Sequence, residues 1–229
     1  MTEKSATKPA SGGAQGAKKR PYHHGGLPEA LLAAAETVLK RDGLRGLTLR
    51  SIAREAGVSH TAPQHHFGDT AGVLSELVAD GHRRMAAAMA AALVASGSEA
   101  APGKARRKAV AHAYVDFALA NPDMFRLMAR NELLDLTRPS LSEARSNSMR
   151  LLAGVLDPAP GDAEGDTGPT ELSAERAVAM VAGWAYVHGL AALLVDQRFA
   201  GMVRRTPSVA DARELVSRAI EQMEVVPER

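Results

Sequence analysis

The sequence predicts an all-α protein, and three features of its composition support that prediction. Alanine and leucine dominate at helical spacing, runs of β-branched residues are scarce, and only 3% of the residues are aromatic. The chain has 229 residues, of which 45% are hydrophobic, enough to bury the core of one globular unit or of two small ones. We expect about nine helices, three in an amino-terminal unit and the rest in a larger carboxy-terminal domain.

Several classes of protein are disfavoured by what the sequence lacks. There is no cysteine, so disulfides and thiolate chemistry are excluded, and a reducing, cytoplasmic location is expected. The first twenty residues lack the apolar segment of a secretory signal. We expect no membrane association, because no apolar run approaches the roughly 20 residues that span a bilayer.

Positive charge is concentrated in the amino-terminal third of the chain. Residues 1–66 carry ten Lys and Arg against five Asp and Glu, whereas residues 67–229 carry eighteen against twenty-one. This asymmetry indicates a polyanionic partner for the first third, although a solvated basic tail would give the same counts.

The first twenty residues are predicted to form a disordered basic tail, because they are rich in Ser, Gly, Ala and Lys and have no periodicity. The tail ends in Lys18, Lys19 and Arg20. These cations are candidates for a DNA-binding arm that contacts phosphates or the minor groove. Solubilising charge is the alternative. We place a DNA-binding unit at 21–69 and a ligand-binding and dimerisation domain at 70–229.

The first helix is predicted from Pro28 to about Asp42. Pro28 suits the first helical position, and Gly43 stops the helix. Its inward face is an apolar stripe at spacings of three and four: Leu31, Ala34, Ala35, Val38 and Leu39.

The stretch from Thr48 to Phe67 predicts two short helices around a tight turn. Leu49, Ile52 and Ala56 recur on one helical face, Thr48 precedes them as N-cap, and Gly57 closes the helix. Ser59 is expected to cap the second helix, which begins near His60. Two helices joined by a short turn with a glycine form the layout of a DNA-reading helix-turn-helix, whose second helix lies in the major groove.

The second helix of this pair divides into an inward and an outward face. Phe67 is the predicted core residue, whereas the residues left to face outward are His60, Thr61, Gln64 and His65. A metal pair at His65 and His66 is disfavoured, because adjacent helical residues point about 100° apart and nothing completes the site. We expect DNA contact for His65 and packing for His66, and we predict no metal and no cofactor.

The remaining helices are predicted from apolar periodicity and from Pro, Gly and Asn breaks. Their expected ranges are 70–94, 104–120, 122–136, 140–156, 173–199 and 208–225. The Asp-rich segment 157–170 lacks the spacing of a calcium loop and is predicted to be a solvated linker. The last two helices carry more apolar surface than one domain covers, which predicts a homodimer through a two-fold four-helix interface.

Methionines and aromatics of the carboxy-terminal domain are candidates for an apolar ligand pocket around one or two polar groups. Ordinary core packing is the alternative for each of them. The candidates are Tyr114, Phe117, Met124, Phe125, Met128, Met180, Trp184 and His188.

Several of these segments resemble the TetR family of transcriptional regulators. The resemblance rests on YHHGGL at 22–27, LTLRSIAREAGVS at 47–59 and HTAPQHHFGDTAGVL at 60–74. NPDMFRLM at 121–128 and WAYVHGLAALL at 184–194 are similar to segments of the branch of that family with a Trp-x-x-x-His-Gly sequence.

The resemblance implies a dimeric repressor that binds a double-stranded, pseudo-palindromic DNA operator and leaves it when a small-molecule effector enters the carboxy-terminal domain. It assigns Thr48 and Arg50 to phosphate or base contacts. It assigns base reading to five residues, namely Ser59, His60, Thr61, Gln64 and His65. The sequence departs from the family at Gln64, where Tyr is frequent, and at Thr70, where many members have a phosphate-binding Lys.

Two other classes were weighed against this interpretation. An enzyme is disfavoured, because no glycine-rich phosphate loop, nucleophile elbow or metal-ligand spacing occurs in the sequence. A helical ligand-binding or adaptor protein with weakened DNA binding remains the alternative, because Gln64 and Thr70 both reduce the expected affinity for the DNA backbone.

Overall fold

The computed structural model describes residues 26–96, 103–154 and 174–223. These residues form ten α-helices and one 3-10 turn, with no strand among them, so the all-α prediction is confirmed. The helices are α1 (Leu27–Gly46), α2 (Leu49–Ala56), α3 (Ala62–Phe67), α4 (Thr70–Ala95), α5 (Gly103–Ala120), α6 (Pro122–Met128), α7 (Pro139–Gly154), α8 (Ala174–Val195), α9 (Ala200–Val203) and α10 (Ala212–Glu221).

Helices α1, α2 and α3 form the predicted three-helix unit. Its core contains Leu31, Val38 and Ile52, which are fully buried, and Phe67, which is 5% exposed. The apolar stripes of the two longer helices meet here, and α4 covers the remaining side of α1. Burial of these side chains supplies most of the stabilisation of the unit, because short helices are marginal alone.

The ends of α2 are fixed by local hydrogen bonds, as predicted. The Thr48 hydroxyl accepts the Ser51 backbone N–H at 3.1 Å, and the Ser51 hydroxyl accepts the Thr48 N–H at 2.9 Å. This reciprocal pair is a capping box with Ser at the position usually held by Glu. At the other end Gly57 is left-handed, with φ 68°, and the Val58 N–H donates to the Ala53 carbonyl at 3.0 Å.

Helix α4 connects the amino-terminal unit to the rest of the protein. It has 26 residues and packs against α1 near its start and against α5, α6 and α7 farther along. The Asp69 carboxylate caps it by accepting the Gly72 N–H at 2.8 Å. One hydrophobic cluster runs through α4 from Leu31 to Ile220, so the two regions share a core.

The sixth helix is shorter than predicted. It ends at Met128 instead of Leu136, and a 3-10 turn at Asn131–Leu133 follows it. The Ser75 hydroxyl of α4 accepts the Asp135 N–H at 2.8 Å, which holds this stretch against α4. The prediction was wrong because a contact between residues 60 positions apart overrides local helical periodicity.

The first helix breaks at Gly43, where φ is 67° and ψ is -173°, so the predicted stop there is confirmed, and a further helical turn then extends α1 to Gly46. The predicted end of the eighth helix was wrong. Helix α8 stops at Val195 instead of Phe199, and the short α9 follows. There the Arg126 guanidinium donates to the Val195 carbonyl at 3.0 Å, and Gln197 adopts a φ of 55°, so the helical ladder ends.

Two helix starts lie later than predicted. Helix α3 begins at Ala62 instead of His60, because residues 60 and 61 form a turn. The last helix begins at Ala212 instead of Ser208. Asp211 is its N-cap, and its carboxylate accepts the Glu214 N–H at 2.8 Å.

Some predictions concern residues outside the described part of the chain. They are the basic tail at 1–20 with Lys18, Lys19 and Arg20, the motif before α1 at 22–25, and the linker at 157–170. Ser173, the first residue of the predicted eighth helix, and the expected ends of the seventh and ninth helices at 156 and 225 also lie outside it.

The expectation that no apolar run is long enough to span a bilayer was wrong. Within the described residues one stretch, Ala177–Val195, has 19 residues and a mean hydropathy of 1.8. By length and composition alone it would pass as a membrane span. Only 17% of it is buried within the single chain, although Val187, Ala191 and Leu194 pack against the core. Helix α8 therefore presents an apolar surface that the monomer does not cover.

Candidate DNA-binding surface and ligand cavity

The two faces of α3 separate as expected from the sequence. Pro63 and Phe67 are buried against the core. The five side chains assigned to base reading are all exposed: Ser59, His60, Thr61, Gln64 and His65. His66 is exposed too, with its ring 6.3 Å from that of Phe67, so the expectation that it packs inside was wrong.

The turn before α3 is held by hydroxyl groups. The Ser59 and Thr61 hydroxyls are 2.9 Å apart, and the Ser59 oxygen accepts the Thr61 backbone N–H at 3.4 Å. The N-cap position is Thr61, whose side chain makes no capping bond. Ser59 thus orders the turn that leads into α3, and it is not itself the cap.

Three guanidinium groups of α1 and α2 are candidates for phosphate contacts. Arg45, Arg50 and Arg54 are exposed and make no ion pair with any described residue. Arg50 and Arg54 are four positions apart on α2 and therefore share a face. Arg41 differs, because it pairs with Glu55 at 2.7 Å and with Asp42, whose pKa it lowers through a hydrogen bond.

Sequence reasoning selected Thr48 and Arg50 but not Arg45 or Arg54. Thr48 is exposed, with its hydroxyl engaged in the capping box. The spacing of Arg54 from Arg50 was the available signal, because residues four apart on a helix are neighbours.

Arg138 joins the end of α3 to the carboxy-terminal domain. It lies immediately before α7, and its guanidinium donates to the Phe67 carbonyl and, at 3.2 Å, to the Glu76 carboxylate of α4. Ser140 donates to the same Glu76 oxygen at 2.8 Å. The start of α7 is therefore hydrogen-bonded to the last residue of α3.

A cavity of about 390 Å³ lies among α4, α5, α7 and α8 and the segment that begins with α6. Five of the eight predicted ligand-binding residues line it: Tyr114, Phe125, Met128, Trp184 and His188. Met180 instead lines a much smaller neighbouring cavity, which Trp184 also borders. Phe117 and Met124 are buried in the core and line neither.

One wall of the cavity is a cluster of aromatic rings. The Tyr114 hydroxyl lies 2.9 Å from Nδ1 of His188, and the Tyr114 ring meets Phe125 edge-on at 5.9 Å. Burial raises the pKa of Tyr114 to about 12, so its hydroxyl stays protonated. Burial also lowers the pKa of His188, which favours the neutral imidazole.

A second part of the lining, which we call the polar wall, was not anticipated from the sequence. It contains His82 of α4, Arg145 and Ser148 of α7, and Asn131. Burial, together with the charge of Arg145, lowers the pKa of His82 to about 4. Arg145 donates to the Asn131 side-chain oxygen at 2.7 Å, and Ser148 donates to the His82 carbonyl at 3.0 Å.

A helix-turn-helix with an exposed recognition face, joined to a helical domain with an internal cavity, defines a DNA-binding regulator. Two family models agree: bacterial regulatory proteins of the tetR family match residues 31–77, and the tetracyclin repressor-like C-terminal domain matches 108–223. The chain therefore belongs to the TetR family of transcriptional regulators. No curated protein matches the sequence significantly.

Solved structures share this fold. A Rhodococcus sp. RHA1 protein of unknown function is 36% identical, with a TM-score of 0.66, and the match covers 89% of this chain and 96% of that one. A TetR family regulator from Shewanella sp. PV-4 is 19% identical, with TM-score 0.58 and coverages of 85% and 96%. FadR from Bacillus subtilis, solved in complex with stearoyl-CoA, is 14% identical, with TM-score 0.56 and coverages of 85% and 95%.

Proposed function

We propose that this TetR-family regulator binds a pseudo-palindromic operator as a dimer, acts as a repressor, and leaves DNA when a small molecule occupies the cavity. The observation that carries the proposal is the pairing of an exposed polar face on α3 with unpaired arginines on α2. Helix α4 supports the second half, because it begins just after α3 and lines the cavity through His82 and Met85.

The two sets of DNA-facing residues have different roles. Arg50 and Arg54 neutralise phosphates and release counterions, which gives affinity without sequence preference. Gln64 reads a base edge, and its amide suits the donor and acceptor pair of adenine. His60, Thr61 and His65 complete the reading surface, and Thr48 lies beside it at the start of α2. The cations Lys18, Lys19 and Arg20 would add backbone affinity as an arm.

The exposed face of α8 supports the dimer. Val178 and Val181 are 68% and 61% exposed, and Gly189 follows on the same side with open space where a Cβ would lie. Small and apolar residues on one helical face permit close approach of a second helix. We place the dimer contact on α8 and α10, the helices predicted as eighth and ninth. A two-fold contact there would present two copies of α3 about 34–36 Å apart, one turn of DNA.

A DNA-binding titration on the protein's own upstream region tests the proposal. Arg50→Ala should weaken binding to every duplex by a similar factor and reduce the salt slope by about 1, because one phosphate contact is lost. Gln64→Ala should weaken the free energy of binding to the specific site by about 1–3 kcal/mol and leave binding to other duplexes unchanged.

Arg41→Ala is the matched control, because that guanidinium is already paired with Asp42 and Glu55. Its binding curve should follow the wild type. Equal curves for all three variants would contradict the assignment of α2 and α3 to DNA.

The dimer is tested separately by light scattering. Val181→Asp places an unpaired charge in the apolar face of α8 and should convert the dimer to a monomer. Met202→Asp is the control, because it introduces the same charge at a residue that is 55% exposed and belongs to α9 instead of α8. A Val181→Asp protein that remains dimeric would place the interface elsewhere.

A further inference from the structure

We propose that the polar wall of the cavity binds the oxyanion head group of an amphipathic effector, a carboxylate or phosphate on a hydrocarbon chain. Arg145 and His82 are the residues that hold the head group. The inference rests on the proposed function, because it assigns a chemical class to the effector of that same cavity.

The charge of Arg145 is not compensated within the described part of the protein. No described carboxylate lies within ion-pairing distance of it, and its hydrogen-bond partner is the neutral amide oxygen of Asn131. The other partly buried arginines on α4 and before α7, Arg84 and Arg138, each have carboxylate partners. A partly buried cation without a counter-ion is unfavourable, and an entering anion removes that cost.

His82 adds a second unsatisfied group beside Arg145. Its Nδ1 is buried and has no hydrogen-bond partner, although its own carbonyl accepts from Ser148. A ring nitrogen that donates to an oxyanion would satisfy this atom. A cationic head group would instead meet the positive charge of Arg145. The two residues come from α4 and α7, so a bound anion would link the helix after α3 to the helix that Arg138 precedes.

The rest of the cavity suits a hydrocarbon chain. Met85, Met128, Met149 and Leu152 lie beside the aromatic rings, and flexible methionines adapt to varied chain shapes. Tyr114 and His188 satisfy each other at 2.9 Å, so that wall offers few free polar groups. A volume of about 390 Å³ lies within the range of small-molecule sites and limits the chain length.

The experiment compares four probes with the same tail on the full chain: decanoate, decyl phosphate, decanol and decylamine. The single tryptophan, Trp184, borders the cavity, so its fluorescence reports occupancy, and calorimetry gives the affinities. At least one of the two anions should bind about tenfold tighter than decanol, as expected for a hydrogen bond to a charged group. Decylamine should bind weakest. The preferred anion identifies which oxyanion the site takes.

Arg145→Gln should reduce the preferred anion to the affinity of decanol and leave decanol binding unchanged, which shows that the cavity is intact. Arg150→Gln, an exposed position on the same helix, should change nothing. Equal binding of anions and decanol, no binding of any probe, or an unchanged anion preference in Arg145→Gln would overturn the inference.

DNA binding is followed in the same samples so that the two proposals fail separately. If the protein binds its upstream duplex but shows no anion preference, the head-group inference is wrong and the proposed regulator stands. If no duplex binds in a salt-dependent manner, the proposed function itself is wrong.

Discussion

The DNA-facing surface and the cavity place their functional side chains in opposite environments. On α3 the candidate residues are exposed, and Arg45, Arg50 and Arg54 are exposed without an ion pair to any described residue. Around the cavity His82 is largely buried and Arg145 is partly buried, and Nδ1 of His82 has no hydrogen-bond partner among the described residues. Under the proposed function the first surface would bind a highly charged polymer by displacing ions, whereas the second would discriminate ligands through the cost of unsatisfied groups.

The local construction of the two regions differs as well. The amino-terminal unit is ordered by bonds between near neighbours, such as Thr48 with Ser51. The cavity is ordered by contacts between distant residues, such as Ser148 with His82 and Tyr114 with His188. Despite this contrast both regions share one buried cluster through α4, so we expect them to unfold together.

The largest effect is expected from truncating the core on either side of α4. Ile52→Ala and Leu141→Ala each remove a side chain that is at most 1% exposed, and each should lower the unfolding free energy by about 2–5 kcal/mol. Urea unfolding should show coincident transitions by circular dichroism and by Trp184 fluorescence. Val94→Ala, at 78% exposure, should stay within about 0.5 kcal/mol of the wild type. Separate transitions would show that the regions are independent domains.

An intermediate effect is expected from the pH dependence of stability. Because the folded pKa of His82 is about 4 and its unfolded value about 6.5, the unfolded state binds the extra proton between them. The stability that this residue contributes is complete above pH 6.5 and falls as the pH drops towards 4. When the pH falls from 7.5 to 5, the unfolding free energy of the wild type should therefore decrease by about 1–2 kcal/mol more than that of His82→Gln. Parallel pH profiles for the two proteins in urea titrations would show that His82 is not buried in its neutral form.

The smallest effect is expected at the caps of the helix pair. Thr48→Ala removes the hydroxyl that accepts the Ser51 N–H but leaves the Thr48 N–H bonded to the Ser51 hydroxyl, and it should cost about 1 kcal/mol of unfolding free energy. Thr61→Ala is the matched control. Because the Thr61 hydroxyl makes no capping bond, its removal should reduce the unfolding free energy by less. Urea midpoints measure both. A larger loss at Thr61 than at Thr48 would contradict the assignment of the caps.

Helix ends that are set by near neighbours could be predicted from the sequence, whereas those set by contacts between distant residues could not. The start and end of α2 were predictable, because Thr48 and Gly57 act through the nearest residues. The end of α6 was not, because Ser75 holds Asp135 from another helix. The start of α10 carried a local signal, the capping Asp211, that periodicity alone passed over.

The candidate sites divide in the same way. The exposure of His65 follows from the burial of Pro63 and Phe67, because each of them is two positions away on the same short helix. Aromatic composition indicated part of the cavity, including Tyr114 and Trp184. His82 and Arg145 could not be selected, because their proximity depends on how α4 packs on α7. Roles in binding remain predictions for all of these residues.

The close contact at Gly72 limits which substitutions this protein accepts between its two regions. A methyl group at that position would lie 2.0 Å from the Phe67 carbonyl oxygen and 2.4 Å from the Arg138 guanidinium. Even alanine would have to push the final carbonyl of α3 away from α4 and separate it from Arg138. The placement of α3, and with it the surface that we propose reads DNA, thus depends on the absence of a single carbon atom at residue 72.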